Sequence, residues 1–163
     1  IIIAWILFWQ GKSVDEIKDG DVIAIPDDAS NGGRALKYWH PQLITLKAEA
    51  GANPTVADID TYNVKIEIKE MGAADIPSVL PDVTAAVVNG NYALDYGIDP
   101  STAIFEEKDY DDDSYFCLMA VRSSDADDAV YKRIVELFQS ETTKQIFQDE
   151  FNGYFVPAWE VQK

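Results

Sequence analysis

With one cysteine and one histidine among 163 residues, the chain has no means of forming an internal disulfide and too few soft ligands for a structural zinc site. Positive charge is scarce too: 13 Lys and Arg stand against 29 Asp and Glu, a net charge of −16. Nucleic-acid affinity rests on cations that neutralise phosphates, and anionic lipid attracts the same groups, so neither is an expected partner. No apolar run approaches the roughly 20 residues of a membrane-spanning helix. The stretch from Ile1 to Trp9 has no basic start and no small-residue cleavage site, so it reads neither as a signal peptide nor as a lipid-attachment box. Its β-branched and aromatic content favours a buried strand, and so apolar an opening is not expected of a natural N-terminus.

What is present is an ordinary globular composition, 47% hydrophobic and 26% charged, on a length that buries one core or slightly more. Ser13 to Glu16 has capping-box spacing, which predicts a short helix over residues 13–18. Val22 to Pro26 is a continuous apolar run suited to a strand buried on both faces, and a helix is expected from about Asn31 to Trp39, with its end near His40 and Pro41. Val64 to Ile68 alternates like a half-buried strand, Ala74 to Leu80 reads as a short helix, and Ala85 to Val88 as another fully apolar strand. That last strand enters a helical turn stopping at Gly97. Strands alternating with helices imply a parallel or mixed α/β sheet. Beyond residue 100, strands are expected at Ala103 to Glu106 and Tyr115 to Arg122, then helices at Asp127 to Phe138 and Ser140 to Phe151.

The most informative segment is Ile23 to Arg34, which follows a buried strand with Ser30 as a helix cap, then Asn31, Gly32, Gly33 and Arg34. Helix N-termini offer unpaired N–H groups to an anion, glycines admit a ligand close to the backbone, and a guanidinium grips a carboxylate through two hydrogen bonds. The plainer reading is a glycine-containing loop with a surface arginine. A second unit of this kind ends in Asn89-Gly90-Asn91, with Asn89 at the carboxyl end of its strand. Open α/β sheets bind ligands at that edge, so Arg34 and Asn89 are expected to face one crevice.

Catalytic patterns are missing: no lysine follows the glycines as in a phosphate loop, G-x-G-x-x-G does not occur, and His40 lacks an evident acid or nucleophile partner. Asp109 to Asp113 lacks the glycine and closing glutamate of a calcium loop and reads as a solvated turn, while Cys117 reads as a small buried hydrophobe in a strand. No enzyme activity, cofactor or metal is expected.

Ser13 to Ile17, Ile23 to Leu36, Ala86 to Ala93 and Ser114 to Cys117 resemble, in order and spacing, segments of the NlpA-type methionine-binding lipoproteins. The family runs Ser-Leu-Asp-Glu-Leu, Ile-Ala-Ile-Pro-Asn-Asp-Pro-Ser-Asn-Gly-Gly-Arg-Ala-Leu, Ala-Val-Ile-Asn-Gly-Asn-Tyr-Ala and Ser-Pro-Tyr-Val-Asn. The resemblance extends over about residues 10–159. It implies a type II periplasmic-binding-protein-like α/β fold of two lobes, with the ligand between them. Residues 1–10 would then give a first-lobe strand and crossover, 11–100 the second lobe, and 101–163 a crossover and the C-terminal part of the first lobe. The ligand would be a small amino acid, methionine by resemblance, with Arg34 on its carboxylate, Asn89 and Asn31 on its polar groups, and Cys117 where the family has a second ligand-binding Asn. ABC importer membrane subunits would be the protein partners, and the location extracytoplasmic, at the membrane through a lipid anchor. Roughly the first hundred family residues have no counterpart in this sequence. That leaves a second reading, a truncated paralogue without ligand binding that acts as a structural or partner-binding protein, and it makes self-association or domain swapping an expectation.

Overall fold

Chain order in the computed structural model, which describes residues 2–3, 5–9, 13–106 and 115–161, begins with two strands, β1 (Ile2–Ile3) and β2 (Trp5–Trp9). Next come β3 (Val22–Pro26), α1 (Ala29–Leu43), β4 (Ile44–Leu46), β5 (Ile59–Tyr62), β6 (Glu67–Met71), α2 (Ile76–Val79), β7 (Ala85–Asn89), α3 (Gly90–Tyr96) and β8 (Ala103–Glu106). After these lie α4 (Ala129–Phe138), α5 (Glu141–Phe151), β9 (Phe155–Val156) and α6 (Ala158–Val161). The chain divides into two compact units, Trp5–Glu107 and Ile1–Ala4 with Lys108–Lys163.

The first unit is a five-stranded mixed sheet in the order β6-β3-β7-β2-β8. β3 runs parallel to both β6 and β7, whereas β2 runs antiparallel to both β7 and β8. Continuous apolar runs occupy the middle for a physical reason: a strand covered on both faces has no polar side, and Val22–Pro26 and Ala85–Asn89 are buried almost throughout. Ile23, Ile25, Ala85 and Val87 share one core with Ala35 and Leu36 of α1. Their strand neighbours Ala24, Ala86 and Val88 are equally buried, and α2 and α3 pack on β7. Burying each Ile, Leu or Val side chain here contributes about 1.5–3 kcal/mol, and each Ala less. Helix α3 stops at Gly97, whose φ of 76° is the left-handed cap conformation that glycine adopts without a Cβ penalty.

Several expectations shift. The helix expected over 13–18 is a single 3-10 turn, Val14–Glu16: Ser13 makes no side-chain cap bond, and the chain leaves in an extended conformation at Ile17, which is drawn into the core. The strand expected at Val64 to Ile68 begins at Glu67, because residues 64–66 are spent on a turn. There the Lys65 N–H donates to the Asp19 carboxylate at 2.9 Å and the Lys65 carbonyl accepts from Gly20, so pairing with β3 starts only at Glu67 opposite Val22. Within residues 1–10, β1 pairs with β9 and Trp5–Trp9 fills the slot between β7 and β8. Helix α1 does not end near His40 but passes through Pro41 to Leu43. The antiparallel pair β4 and β5 had no counterpart in the sequence reading.

In the second unit, β1 pairs antiparallel with β9, and α5 is capped by Ser140, whose hydroxyl accepts from the Thr143 N–H, as expected. Phe147, at 5% exposure, is ringed by Phe138, Phe151, Phe155 and Trp159 at centroid distances of 5.9–6.3 Å. Those are ordinary spacings for edge-to-face and tilted aromatic pairs. The strand expected at Tyr115 to Arg122 is not formed: Tyr115 lies in a 3-10 turn and residues 116–122 have no regular structure. A strand needs a neighbour to satisfy its backbone groups, and no described strand pairs with this stretch.

Candidate functional site

Because β3 and β7 are parallel neighbours, their carboxyl ends, Pro26 and Asn89, lie at the same edge of the sheet, and a helix begins just after each. The cap of α1 is Asp28. Its carboxylate Oδ1 accepts from the Asn31 N–H at 2.9 Å and its backbone carbonyl accepts from the Gly32 N–H at 2.8 Å. Ser30, the expected cap, is the second residue of the helix. Asp28 is therefore the residue that sequence reasoning missed, although aspartate is as favourable an N-cap as serine and the signal was available.

The two glycines serve packing. A Cβ on Gly32 would stand 2.5 Å from the carbonyl oxygen of Pro26, and one on Gly33 would stand 2.9 Å from Cα of Asn53 and 3.1 Å from the Pro54 carbonyl oxygen. Close approach of the chain to itself accounts for Gly-Gly, where the sequence suggested close approach of a ligand.

Arg34 falls in the second turn of α1 and is 5% exposed; Asn89 is 9% exposed. They are the buried polar or charged residues among those described. Asn89 occupies the N-cap position of α3, but its side chain makes no capping bond. Instead its Nδ2 donates to Oδ1 of Asn31 at 3.3 Å, and Nδ2 of Asn31 donates to the second carboxylate oxygen of Asp28 at 2.9 Å. Oδ1 of Asn89 is buried and has no hydrogen-bond partner among the described residues. An unmet buried acceptor costs about 1–3 kcal/mol and is relieved by any donor that reaches it. The helix that carries Arg34 and the strand end that carries Asn89 thus share one edge of the sheet, and guanidinium donors with an amide acceptor suit a ligand carrying both an acid and an amine.

Of the four expected ligand residues, Arg34, Asn31 and Asn89 belong to the Trp5–Glu107 unit; a hydrogen bond brings Asn31 and Asn89 together, and Arg34 follows three residues after Asn31 on α1. Cys117 belongs to the other unit and is exposed on the irregular stretch after Tyr115, which corrects its reading as a buried strand residue. His40 lies within α1, and Asp109 to Asp113 lie outside the described residues. Among the described residues no group of three or more His, Cys, Asp or Glu could hold a metal ion, and no helix is long and apolar enough to cross a membrane.

The chain is 35% identical over 150 residues to outer membrane lipoprotein 3 of Mannheimia haemolytica, covering 91% of this chain and 56% of that protein. It is 34% identical over 152 residues to the D-methionine-binding lipoprotein MetQ of Escherichia coli O157:H7, covering 91% and 55%. Among solved structures, a nutrient-binding protein from Burkholderia cenocepacia bound to methionine superposes with a TM-score of 0.78 at 35% identity, over 95% of this chain and 66% of that one. The chain spans about half the length of the curated relatives it matches. The α/β fold is that of these substrate-binding proteins, which are not enzymes, and the family consists of membrane-anchored lipoproteins. The sequence profile of the NlpA lipoproteins matches residues 9–159, and the chain belongs to that family.

Proposed function

We propose that this chain forms the ligand-gripping part of an extracytoplasmic solute-binding lipoprotein that captures a small amino acid, methionine, for an ABC importer. The observation that carries the reading is the pair of buried polar side chains, Arg34 on α1 and Asn89 at the N-cap of α3, the two helices that start from the shared edge of β3 and β7, with Asn31 hydrogen-bonded to Asn89. A zwitterion matches it group for group: the carboxylate accepts two parallel N–H bonds from Arg34, and the ammonium donates to the amide oxygen of Asn89. Membership in the family and a relative's structure with methionine bound support the same ligand class. Delivery to importer membrane subunits and a lipid anchor follow from the family in the same way.

The test is calorimetry with L- and D-methionine on the 163-residue chain and on Arg34→Ala and Arg122→Ala. Hydrogen bonds to a charged group contribute about 1.5–3 kcal/mol, so Arg34→Ala is expected to lose roughly ten- to a hundredfold in affinity. Arg122, 85% exposed and paired with Asp125, should be nearly neutral. Equal affinities in the two variants would remove Arg34 from the site.

The second reading, a shortened family member that binds a protein partner and no small ligand, is favoured by one observation: Leu118, Met119, Val121, Val130, Ile134 and Leu137 are all 45% exposed or more. Absence of any methionine heat in the parent chain would favour it.

A further inference from the structure

We infer that Asp28 is a positioning residue, one that sets the polarity of the ligand site through a relay of two amides. The inference rests on the reading of Asn89 as a ligand group, and its logic is one of donors and acceptors. An ionised carboxylate can only accept, and Asp28 already takes the Asn31 backbone N–H on Oδ1. Its other oxygen therefore fixes the Asn31 side chain with Nδ2 toward Asp28, at 2.9 Å, and Oδ1 turned away. That Oδ1 in turn requires a donor from Asn89, whose Nδ2 supplies it at 3.3 Å. Asn89 is left with its oxygen buried and without a described partner. Amides alone could run in either direction along such a chain; the carboxylate at its end permits one. Asp28 thus ensures that the buried group offered to the ligand is an acceptor, which selects a donor such as an α-ammonium.

Asp28→Asn isolates this role. Asparagine caps a helix as well as aspartate does, so the bond to the Asn31 N–H survives, but the second oxygen becomes an NH₂ donor. Asn31 then turns its oxygen toward residue 28, Asn89 turns to follow, and the buried atom presented becomes a donor. A melting cycle without ligand reads the inversion. Asn89→Asp places a carboxylate against Oδ1 of Asn31 and is expected to lower Tm clearly in the parent, and much less, or not at all, in the Asp28→Asn background. Folding of the double variant where Asn89→Asp alone does not fold is the same result. Additive losses, or failure of both to fold, would overturn the relay. Titration with L-methionine reads the consequence: Asp28→Asn should bind at least tenfold more weakly than the parent, and equal affinities would overturn the part of the inference that concerns the ligand. A parent chain that shows the melting rescue but takes up no methionine sinks the proposed function and leaves the relay standing.

Discussion

A methyl group added at Gly33 has nowhere to go. Replacing glycine by alanine inside a helix ordinarily gains about 0.5–1 kcal/mol, because the unfolded chain loses freedom. Here the new Cβ would meet Asn53 Cα at 2.9 Å and the Asn53 carbonyl carbon at 3.0 Å, backbone atoms that cannot rotate aside. We expect Gly33→Ala to cost about 1–3 kcal/mol, the typical range for overpacking, and to lower Tm by several degrees. A thermal melt that rises instead would show that the 51–58 loop yields freely. Site residues were partly legible at this scale. Arg34 and Asn89 stand out because each follows or ends an apolar strand that leads into a helix, and both are buried polar side chains in the structure. The role of Asp28 was hidden, because three candidate caps stand within four residues and only geometry chooses among them. Cys117 was misplaced because its surroundings are apolar enough to suggest burial, and composition does not reveal whether a covering neighbour exists.

Among the elements, the loop that presses on Gly33 is itself braced. Asp58 accepts from the Thr55 N–H at 2.8 Å and from the Thr55 hydroxyl at 2.9 Å, and these bonds hold its carboxyl below the ordinary value of 3.8. A depressed carboxylate pKa means that the ionised form is favoured by folding, so its contribution is present above pH 3.8 and fades as the pH falls through the lower folded value. Asp58→Asn should therefore melt below the parent near neutral pH, with the gap closing in acid. A gap that stays constant down to the acid transition would show that the charge is irrelevant there. Long apolar runs such as Val22–Pro26 and Ala85–Asn89 announce central strands, since their burial on both faces leaves no polar alternation to interpret. Ile44–Leu46 and Ile59–Tyr62 were not legible: they are three and four residues long with polar residues interspersed, and only their mutual pairing makes them strands. Tyr115 to Arg122 shows the converse, β-forming composition with no ladder to join.

For the whole molecule, apolar exposure is concentrated in the Lys108–Lys163 unit. Helix α4 shows Val130 at 65%, Ile134 at 45% and Leu137 at 55% exposure, and Leu118 on the preceding irregular stretch reaches 79%. Contiguous apolar surface of this kind drives association. A net charge of −16 opposes it through repulsion that salt screens. The chain is accordingly expected to self-associate at micromolar concentration, more strongly as ionic strength rises, and Ile134→Lys with Leu137→Glu should reverse the effect. Light scattering that finds a monomer at every salt concentration would refute this.

The position of β2 also bears on the order in which the molecule is made. Strands β3, β6 and β7 can begin to assemble from consecutive stretches of chain, whereas Trp5–Trp9 finds its partners only in the last of these, Ala85–Asn89, and in Ala103–Glu106 beyond it. Closing so long a loop is entropically costly and is repaid only after both partners exist. The antiparallel insertion of β2 is thus the step that commits β8 to the sheet. Until it occurs, the open edge of β7 remains a template on which a neighbouring molecule's first strand could pair in place of the chain's own.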